Sequence, residues 1–296
     1  MSEIRLKNGF YPALGTPTDN EGKLIEKSFS RHIESMISSG AAGVLCMGTM
    51  GKMESILNDE YPKIAGKCTG IVAKRVPVMV GVMDCSVDRV IARIEALRDL
   101  VIEGVVATAP FYYKVNADGI INFFTLIAKK SKYPVFIYDL PSVTQVSINI
   151  DILEPLLKIP NIKGMKTANL NLILHLIRND MIRQDFSILY SGLDSFDVAI
   201  QAGIKKNLDG MLSCTPNNTR LIYQNIENVD NSTISFHLNN ILTLRNIFLQ
   251  ENVMAAFSYA MELLDCPGNY HPDYASPISN KLKEEIYTVM KEIKEM

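Results

Sequence analysis

The chain has 296 residues, 47% of them hydrophobic and 21% charged, and its formal net charge is −2. These values are typical of a soluble globular protein with a large core, and the length suits either two ordinary domains or one α/β barrel of about 250 residues. A nearly neutral chain without a basic stripe is not expected to bind nucleic acid. No apolar run reaches the roughly 18 residues that cross a bilayer, so no membrane partner is expected either.

The N-terminus, the cysteines and the histidines bear on the location of the protein and on whether it has disulfides or a metal site. Residues 1–7 carry no apolar signal region, so the predicted location is the cytoplasm. The cysteines are odd in number and no two share a C-x-x-C spacing, which argues against both a disulfide framework and a zinc site. The histidines are scattered and form no H-E-x-x-H pair. The sequence therefore predicts no metal site.

Short apolar runs alternate with amphipathic helical patterns up to residue 213. Successive runs begin 21 to 34 residues apart, which suits one strand, one helix and two loops per unit. Because several runs are apolar without alternation, they predict parallel strands that are buried on both faces. The eight predicted strands are 10–14, 43–47, 77–82, 104–108, 134–138, 162–166, 187–191 and 208–213.

After residue 213 the pattern becomes helical as far as the C-terminus. The simplest architecture is a (β/α)8 TIM barrel over residues 1–220, followed by a C-terminal helical region, 221–296, that packs on the barrel. A doubly wound sheet stays open as an alternative, but it requires a glycine-rich phosphate fingerprint that the sequence lacks.

The residues that follow the predicted strands are the candidates for chemistry, because the active site of a β/α barrel lies at the carboxyl ends of its strands. These ends form one neighbourhood although they are far apart in the sequence. The candidates are Thr49 and Met50 after the second strand, Tyr112 after the fourth, Tyr138 at the end of the fifth, Lys166 at the end of the sixth, Asp194 after the seventh and Ser213 at the end of the eighth.

Lys166 is the most informative of these residues, since it ends an apolar segment that predicts a buried strand. An ammonium group in such a place is costly unless it is paired or gives up its proton. A free lysine amine attacks a ketone to form a Schiff base, which makes the neighbouring carbon acidic and lets C–C bonds form or break. A tyrosine hydroxyl bonded to a threonine hydroxyl can carry the proton transfers. Backbone amides of the turn 48–51 can hold the carboxylate of a 2-oxo acid.

Each candidate also has a purely structural interpretation. Lys166 can be a surface lysine just beyond a strand, the glycines of 48–51 can serve only a tight turn, and Tyr138 can be a core aromatic. Tyr112 can belong to an interface, and Asp194 can cap the helix that follows it. The joint occurrence of these residues at successive strand ends favours the catalytic interpretation.

The chain resembles the dihydrodipicolinate synthase and N-acetylneuraminate lyase family, class I aldolases that form a Schiff base in a (β/α)8 barrel. The similarity runs in consistent order from about residue 9 to residue 217, with a looser match in the helical region. The motifs that carry it are Gly48-Thr49-Met50-Gly51, Pro110-Phe111-Tyr112-Tyr113-Lys114, Tyr138-Asp139-Leu140-Pro141, Gly164-Met165-Lys166 and Ser191-Gly192-Leu193-Asp194.

The resemblance implies a role for each of these positions. Lys166 would be the Schiff-base lysine, Tyr138 the proton carrier and Thr49 its relay partner. The amides of Thr49 and Met50 would bind the carboxylate of pyruvate. Tyr112 matches the aromatic residue that in the synthases reaches into the site of a neighbouring subunit. The family commonly forms tetramers built from two dimers, so a homo-oligomer, either dimer or tetramer, is implied.

The chain departs from the family pattern at several motifs. Met50 and Lys52 replace a hydroxyl residue and a glutamate of the usual Gly-Thr/Ser-Thr-Gly-Glu, but the Met50 amide is kept, so carboxylate binding is expected to survive. Val143 stands where the synthases carry the arginine that holds their second substrate's carboxylate, and an apolar side chain cannot do this. This argues against aspartate semialdehyde as a substrate. Asp194 stands where sialic-acid lyases contact sugar hydroxyls, beside Ser195 instead of the usual glutamate.

The sequence therefore predicts a Schiff-base-forming, pyruvate-dependent aldolase or lyase that cleaves or condenses a 2-oxo acid, with a sugar-derived substrate favoured. No metal or organic cofactor is required. The alternatives are a 2-oxo-3-deoxy sugar acid dehydratase, a diverged dihydrodipicolinate synthase, and a non-catalytic 2-oxo-acid-binding protein. The predicted catalytic residues are Lys166, Tyr138, Thr49 and Tyr112, and the predicted substrate-binding residues are Thr49, Met50, Val143, Asp194 and Ser213.

Overall fold

The computed structural model describes residues 6–227 and 230–296. Residues 1–5, on which most of the expectation for the N-terminus rests, lie outside this range, as do residues 228–229 of the predicted helical region. Within the described ranges, no helix combines the length and the apolar character that crossing a membrane requires.

Eight parallel strands form a barrel in the described part of the chain, in the order β1-β8-β7-β6-β5-β4-β3-β2. The first and last strands of this order meet through a parallel bridge between Ala13 and Leu45 and a 2.9 Å hydrogen bond from the Leu14 amide to the Leu45 carbonyl. The predicted TIM barrel is thereby confirmed. The strands are β1 Gly9–Pro12, β2 Val44–Cys46, β3 Val78–Gly81, β4 Gly104–Thr108, β5 Val135–Tyr138, β6 Ile162–Thr167, β7 Ser187–Tyr190 and β8 Lys206–Asp209.

Helices cover the barrel and build the C-terminal region. Several begin at the side chains that sequence rules favour as N-caps: Ser86 accepts a hydrogen bond from the Arg89 amide, and Asn169 accepts one from the Leu172 amide. The helices are α1 Glu26–Ser38, α2 Tyr61–Val72, α3 Val87–Ala96, α4 Ala117–Lys130, α5 Pro141–Thr144, α6 Ile150–Leu157, α7 Leu170–Arg178, α8 Phe196–Gln201, α9 Pro216–Asn225, α10 Asn231–Phe248, α11 Val253–Leu263 and α12 Asn280–Glu292.

The strands bury both faces, as their unpatterned apolar sequences predicted. One set of side chains fills the inside of the barrel, and a larger set packs between the strands and the helices. Alternate residues of a strand belong to different sets: Phe136 and Tyr138 point inward, while Val135 and Ile137 point toward the helices. The boundary predicted after residue 220 falls inside α9, which contacts β1 on one side and α10 on the other.

The prediction for the eighth strand was wrong at both ends. It placed the strand at residues 208–213, whereas β8 is Lys206–Asp209 and Met211–Ser213 form a turn of 3-10 helix. The side chain of Asp209 explains the early end, because its Oδ1 accepts a hydrogen bond from the Met211 amide at 2.9 Å and bends the chain away from the strand direction.

Candidate active site

The amine of Lys166 lies over the ring of Tyr138 at the carboxyl end of the barrel. Its Nζ atom is 4.0 Å from the ring centroid, and each of the two side chains is only 6% exposed. The arrangement follows from strand register, because Lys166 is paired with Tyr138 across β5 and β6 and both side chains point inward. Within the described residues, neither the amine nor the phenol hydroxyl makes a hydrogen bond. The structure therefore brings the predicted nucleophile and the predicted proton carrier together with their polar atoms free for a ligand.

Asp139 and Thr167 fasten the two strands that carry this pair. The Thr167 hydroxyl donates a 2.8 Å hydrogen bond to Oδ2 of Asp139, and Oδ1 accepts one of 2.9 Å from the Ile148 amide. Burial raises the pKa of the Asp139 carboxyl, while these two hydrogen bonds oppose the rise. Because Asp139 follows Tyr138 and Thr167 follows Lys166, this bond restricts the relative positions of Tyr138 and Lys166.

The turn after β2 presents unused backbone donors next to the barrel mouth. The amides of Thr49 and Met50 donate to no acceptor in the described part of the chain, which leaves them open to a carboxylate. The turn is tight: Met47 has φ +53°, and a Cβ on Gly81 would lie 2.0 Å from the Met47 carbonyl oxygen, so only glycine fits beside it. The side chain of Thr49 is exposed and makes no hydrogen bond with Tyr138.

Lys52 anchors this turn to the C-terminal region. Its side chain is buried, and its Nζ donates to Thr18 Oγ1 at 2.6 Å, to the Asn269 carbonyl at 2.8 Å and to the His271 carbonyl at 3.2 Å. Burial lowers the pKa of Lys52 to about 8, and the negative charges of Glu54 and Asp273 oppose the shift. The lysine that replaces the family's glutamate thus has its own set of partners.

Met50 covers the barrel mouth from the side of β2. Its side chain packs on the residues that fill the barrel and lies against the end of β8, where a Cβ on Gly210 would come within 2.7 Å of the Met50 methyl carbon. Leu140, at the end of β5, packs on the same residues. Met50 and Leu140 thus place apolar side chains beside the carboxyl ends of β2, β5 and β8.

An ion pair stands at the ends of β7 and β8. Arg245 of α10 donates two hydrogen bonds to Asp194, at 2.6 and 2.7 Å, and this neighbour lowers the pKa of the Asp194 carboxyl. Asp209 lies close enough to Lys166 and Arg245 for both positive charges to affect the pKa of its carboxyl. Burial raises its pKa, and the two positive charges oppose the rise. The guanidinium holds the Asp194 carboxylate in one orientation while leaving much of it exposed.

The remaining sequence candidates lie in different surroundings. Tyr112 is 75% exposed and packs edge-on against Tyr113 at a centroid distance of 4.8 Å. Val143 is on α5, the helix that follows β5, with its side chain largely exposed. Ser213 is fully buried, and its hydroxyl donates a 2.7 Å hydrogen bond to the Ala13 carbonyl, which commits it to joining β1 to the turn after β8.

Two residues of this region were missed by the sequence analysis. Arg245 lies 51 positions from Asp194 within a helix whose visible pattern is its apolar stripe, so nothing near it in the sequence pointed to the barrel mouth. Thr108 ends β4 as the polar residue of an otherwise apolar run, and its side chain points inward. A polar residue at the end of an apolar strand is a sequence signal that could have identified Thr108 as a candidate site residue.

Nearly the whole chain matches one family of known proteins. Residues 7–296 match the model of the dihydrodipicolinate synthetase family. The chain belongs to this family. Its members are pyruvate-dependent lyases and synthases of the class I aldolase type, so the chain is an enzyme of that type.

Similar proteins come from distant organisms. The chain is 27% identical to the 4-hydroxy-tetrahydrodipicolinate synthase of Ehrlichia canis, over 96% of this chain and 97% of that protein, and 25% identical to that of Methanosphaera stadtmanae, over 96% of each. A monomeric dihydrodipicolinate synthase variant has the same fold, with a TM-score of 0.91 at 20% identity and full coverage of both chains. So does YagE, an Escherichia coli K12 protein solved with pyruvate, with a TM-score of 0.89 at 19% identity over 99% of this chain and 100% of YagE.

Replacing Lys52 by Met should destabilise the protein by about 2 kcal/mol, because Thr18 and two carbonyls lose a charged donor in a buried place. Chemical denaturation or differential scanning fluorimetry measures the change. Lys67→Met is the matched control, since Lys67 pairs with Glu26 on the surface and its loss should cost less than about 1 kcal/mol. Equal losses for the two variants would contradict the anchoring role.

Replacing Asp139 by Asn should preserve stability at neutral pH to within about 1 kcal/mol or improve it. The folded-state pKa of Asp139 is raised, so folded protein keeps a proton that the unfolded chain releases, and wild-type stability falls relative to D139N as the pH rises from 4 to 7. Urea denaturation at both pH values measures this. Asp185→Asn is the control of opposite sign, because Lys163 and Arg183 lower the pKa of Asp185. A wild-type advantage over D139N that grows with pH would refute the assignment.

Proposed function

We propose that this protein is a pyruvate-releasing aldolase that uses Lys166 as its Schiff-base nucleophile and Tyr138 as its proton carrier. The observation that carries the proposal is the Lys166 amine over the Tyr138 ring, buried at the carboxyl end of a TIM barrel. Family membership supports it, and so does YagE, a protein of the same fold that was solved with pyruvate. The catalytic residues of barrel enzymes come from the ends of several strands, as these do.

The reaction begins when the neutral amine of Lys166 attacks C2 of a 2-oxo acid whose carboxylate rests on the amides of Thr49 and Met50. The carbinolamine loses its hydroxyl as water, with the proton supplied by Tyr138, and an iminium ion remains. Tyr138 then takes the proton of the C4 hydroxyl while the C3–C4 bond breaks, and the electrons of that bond enter the iminium to give an enamine. The fragment that carries C4 leaves as an aldehyde. Tyr138 returns its proton to C3 of the enamine, and water then hydrolyses the iminium, which releases pyruvate and restores the amine.

We propose that the substrate is sugar-derived, with uncharged hydroxyl groups at its far end. The exposed Asp194 carboxylate, held by Arg245, can accept hydrogen bonds from hydroxyls. A second carboxylate is disfavoured, because Val143 is apolar and Arg245 is already neutralised by Asp194. The second candidate is a dihydrodipicolinate synthase, which the names of the curated relatives favour, and its test substrate is aspartate semialdehyde.

We also propose that the chain self-associates through the surface that contains Tyr112 and Tyr113. Two adjacent tyrosines exposed at 75% and 76% are unusual on a surface that stays in water, and aromatic residues are enriched at interfaces. Tyr112 then acts in the site of a neighbouring copy. A similar fold occurs in a monomeric dihydrodipicolinate synthase variant.

Incubation with pyruvate and borohydride should attach a reduced pyruvyl group to Lys166. Lys166→Ala should abolish the adduct and lower turnover by at least about a thousandfold, because the covalent route is lost. Lys163→Ala is the matched control, since Lys163 is on the same strand but pairs with Asp185 outside the barrel, and it should label like the wild type. Peptide mass spectrometry locates the adduct. A folded wild type that stays unmodified would end the proposal.

Replacing Asp194 by Asn should lower kcat/KM for polyhydroxylated 2-oxo acids about tenfold and leave pyruvate adduct formation unchanged, because only the far end of the substrate loses a partner. Coupled assay of pyruvate release over a panel of sugar acids and aspartate semialdehyde measures this. Asp180→Asn, on the surface after α7, is the control. Consumption of a 2-oxo-3-deoxy sugar acid without pyruvate release would instead identify a dehydratase.

A further inference from the structure

Thr108 lies on the same level of the barrel as the reactive pair. It is paired with Tyr138 across β4 and β5, just as Tyr138 is paired with Lys166 across β5 and β6. Its side chain points inward, because it alternates with Ala107 and shares the face of Val106, which belongs to the barrel interior. Neighbouring strands are about 4.8 Å apart, so Thr108 stands beside Tyr138 on the side opposite Lys166.

Tyr138 stands between Thr108 and Lys166, since β5 lies between β4 and β6 and the amine lies over the Tyr138 ring. Tyr138 and Thr108 thus place two side-chain hydroxyls on neighbouring strands at one level of the barrel interior. Thr49 is exposed and has no such position.

The hydroxyl of Thr108 is buried without a partner. The residue is 3% exposed, and its Oγ1 makes no hydrogen bond to any described residue. Buried hydroxyls are nearly always hydrogen-bonded, and a valine of the same shape would fill this place without the penalty. The Oγ1 atom can both donate and accept a hydrogen bond, so it can bind a water molecule.

We propose that Thr108 holds the water molecule of Schiff-base formation and hydrolysis. When the carbinolamine C–O bond breaks, the departing hydroxyl takes a proton from Tyr138 and becomes water bound to Thr108 Oγ1. In the reverse step the same water attacks C2 of the iminium and returns a proton to Tyr138. Thr108 is thus a positioning residue for the water, and this role rests on the proposed function.

The test measures the formation and hydrolysis of the iminium separately from proton exchange at C3. Quenched-flow borohydride trapping with pyruvate gives the rates of iminium formation and hydrolysis, and proton NMR in D2O gives exchange at C3. Thr108→Val should slow formation and hydrolysis together by about tenfold and leave the equilibrium occupancy of the adduct unchanged. Each iminium then lives longer, so more C3 exchange occurs for each one formed. A general distortion of the site would lower the occupancy as well.

Two further variants keep the test decisive. Thr108→Ser retains the hydroxyl, so its rates of iminium formation and hydrolysis should stay within about twofold of those of the wild type. Thr108→Ala lacks the hydroxyl and should be as slow as Thr108→Val. It replaces Thr108→Val in the test if that variant does not fold. Wild-type rates in T108V or T108A, or a T108S as slow as they are, would overturn the assignment while leaving the proposed function intact. A wild type that forms no adduct would overturn both.

Discussion

The contact between the Lys166 amine and the Tyr138 ring is the interaction on which the functional account depends. An amine buried inside a barrel gains from the negative face of an aromatic ring when it is charged and is ready to attack a carbonyl when it is neutral. The contact is produced by hydrogen-bonded register, since β5 and β6 set the two residues side by side. The bond between Asp139 and Thr167 then holds the two strand ends at a fixed separation.

The Lys166–Tyr138 pair has apolar side chains on one side and polar groups on two others. Met50 and Leu140 pack on the side chains that fill the barrel, while the free amides after β2 are open to a carboxylate. Asp194 and Arg245 stand at the far end, where the rest of a substrate would lie. This distribution is the basis of our proposal that the substrate is a 2-oxo acid with a hydroxylated tail.

Much of this arrangement could be predicted from the sequence. Apolar runs at regular spacing predict the eight strands, and the rule that barrel sites lie at strand ends predicts that Lys166 and Tyr138 lie together. The eighth strand was placed too far along, because Leu208 to Ser213 is mostly apolar and the Asp209 turn that ends the strand leaves little mark on that pattern. Ser213 lies in the 3-10 turn after β8, where its hydroxyl donates a hydrogen bond to the Ala13 carbonyl.

Long-range partners were beyond the reach of sequence patterns. Lys52 looked like an unexplained charge reversal, and its partners Thr18, Asn269 and His271 are up to 219 positions away. Arg245, on α10 of the C-terminal region, likewise pairs with a residue far away in the sequence, Asp194, which is 51 positions from it. Such pairings depend on how α10 and the segment after α11 pack on the barrel, which no local spacing encodes.

We propose that the Lys166 amine captures a 2-oxo acid beside Tyr138, and a crystal soaked with pyruvate would show this capture. We expect continuous electron density from Lys166 Nζ to C2 of pyruvate, with the carboxylate on the amides of Thr49 and Met50 and the Tyr138 hydroxyl within hydrogen-bonding distance. Pyruvate bound elsewhere, or an unmodified Lys166 in a crystal saturated with the ligand, would contradict it.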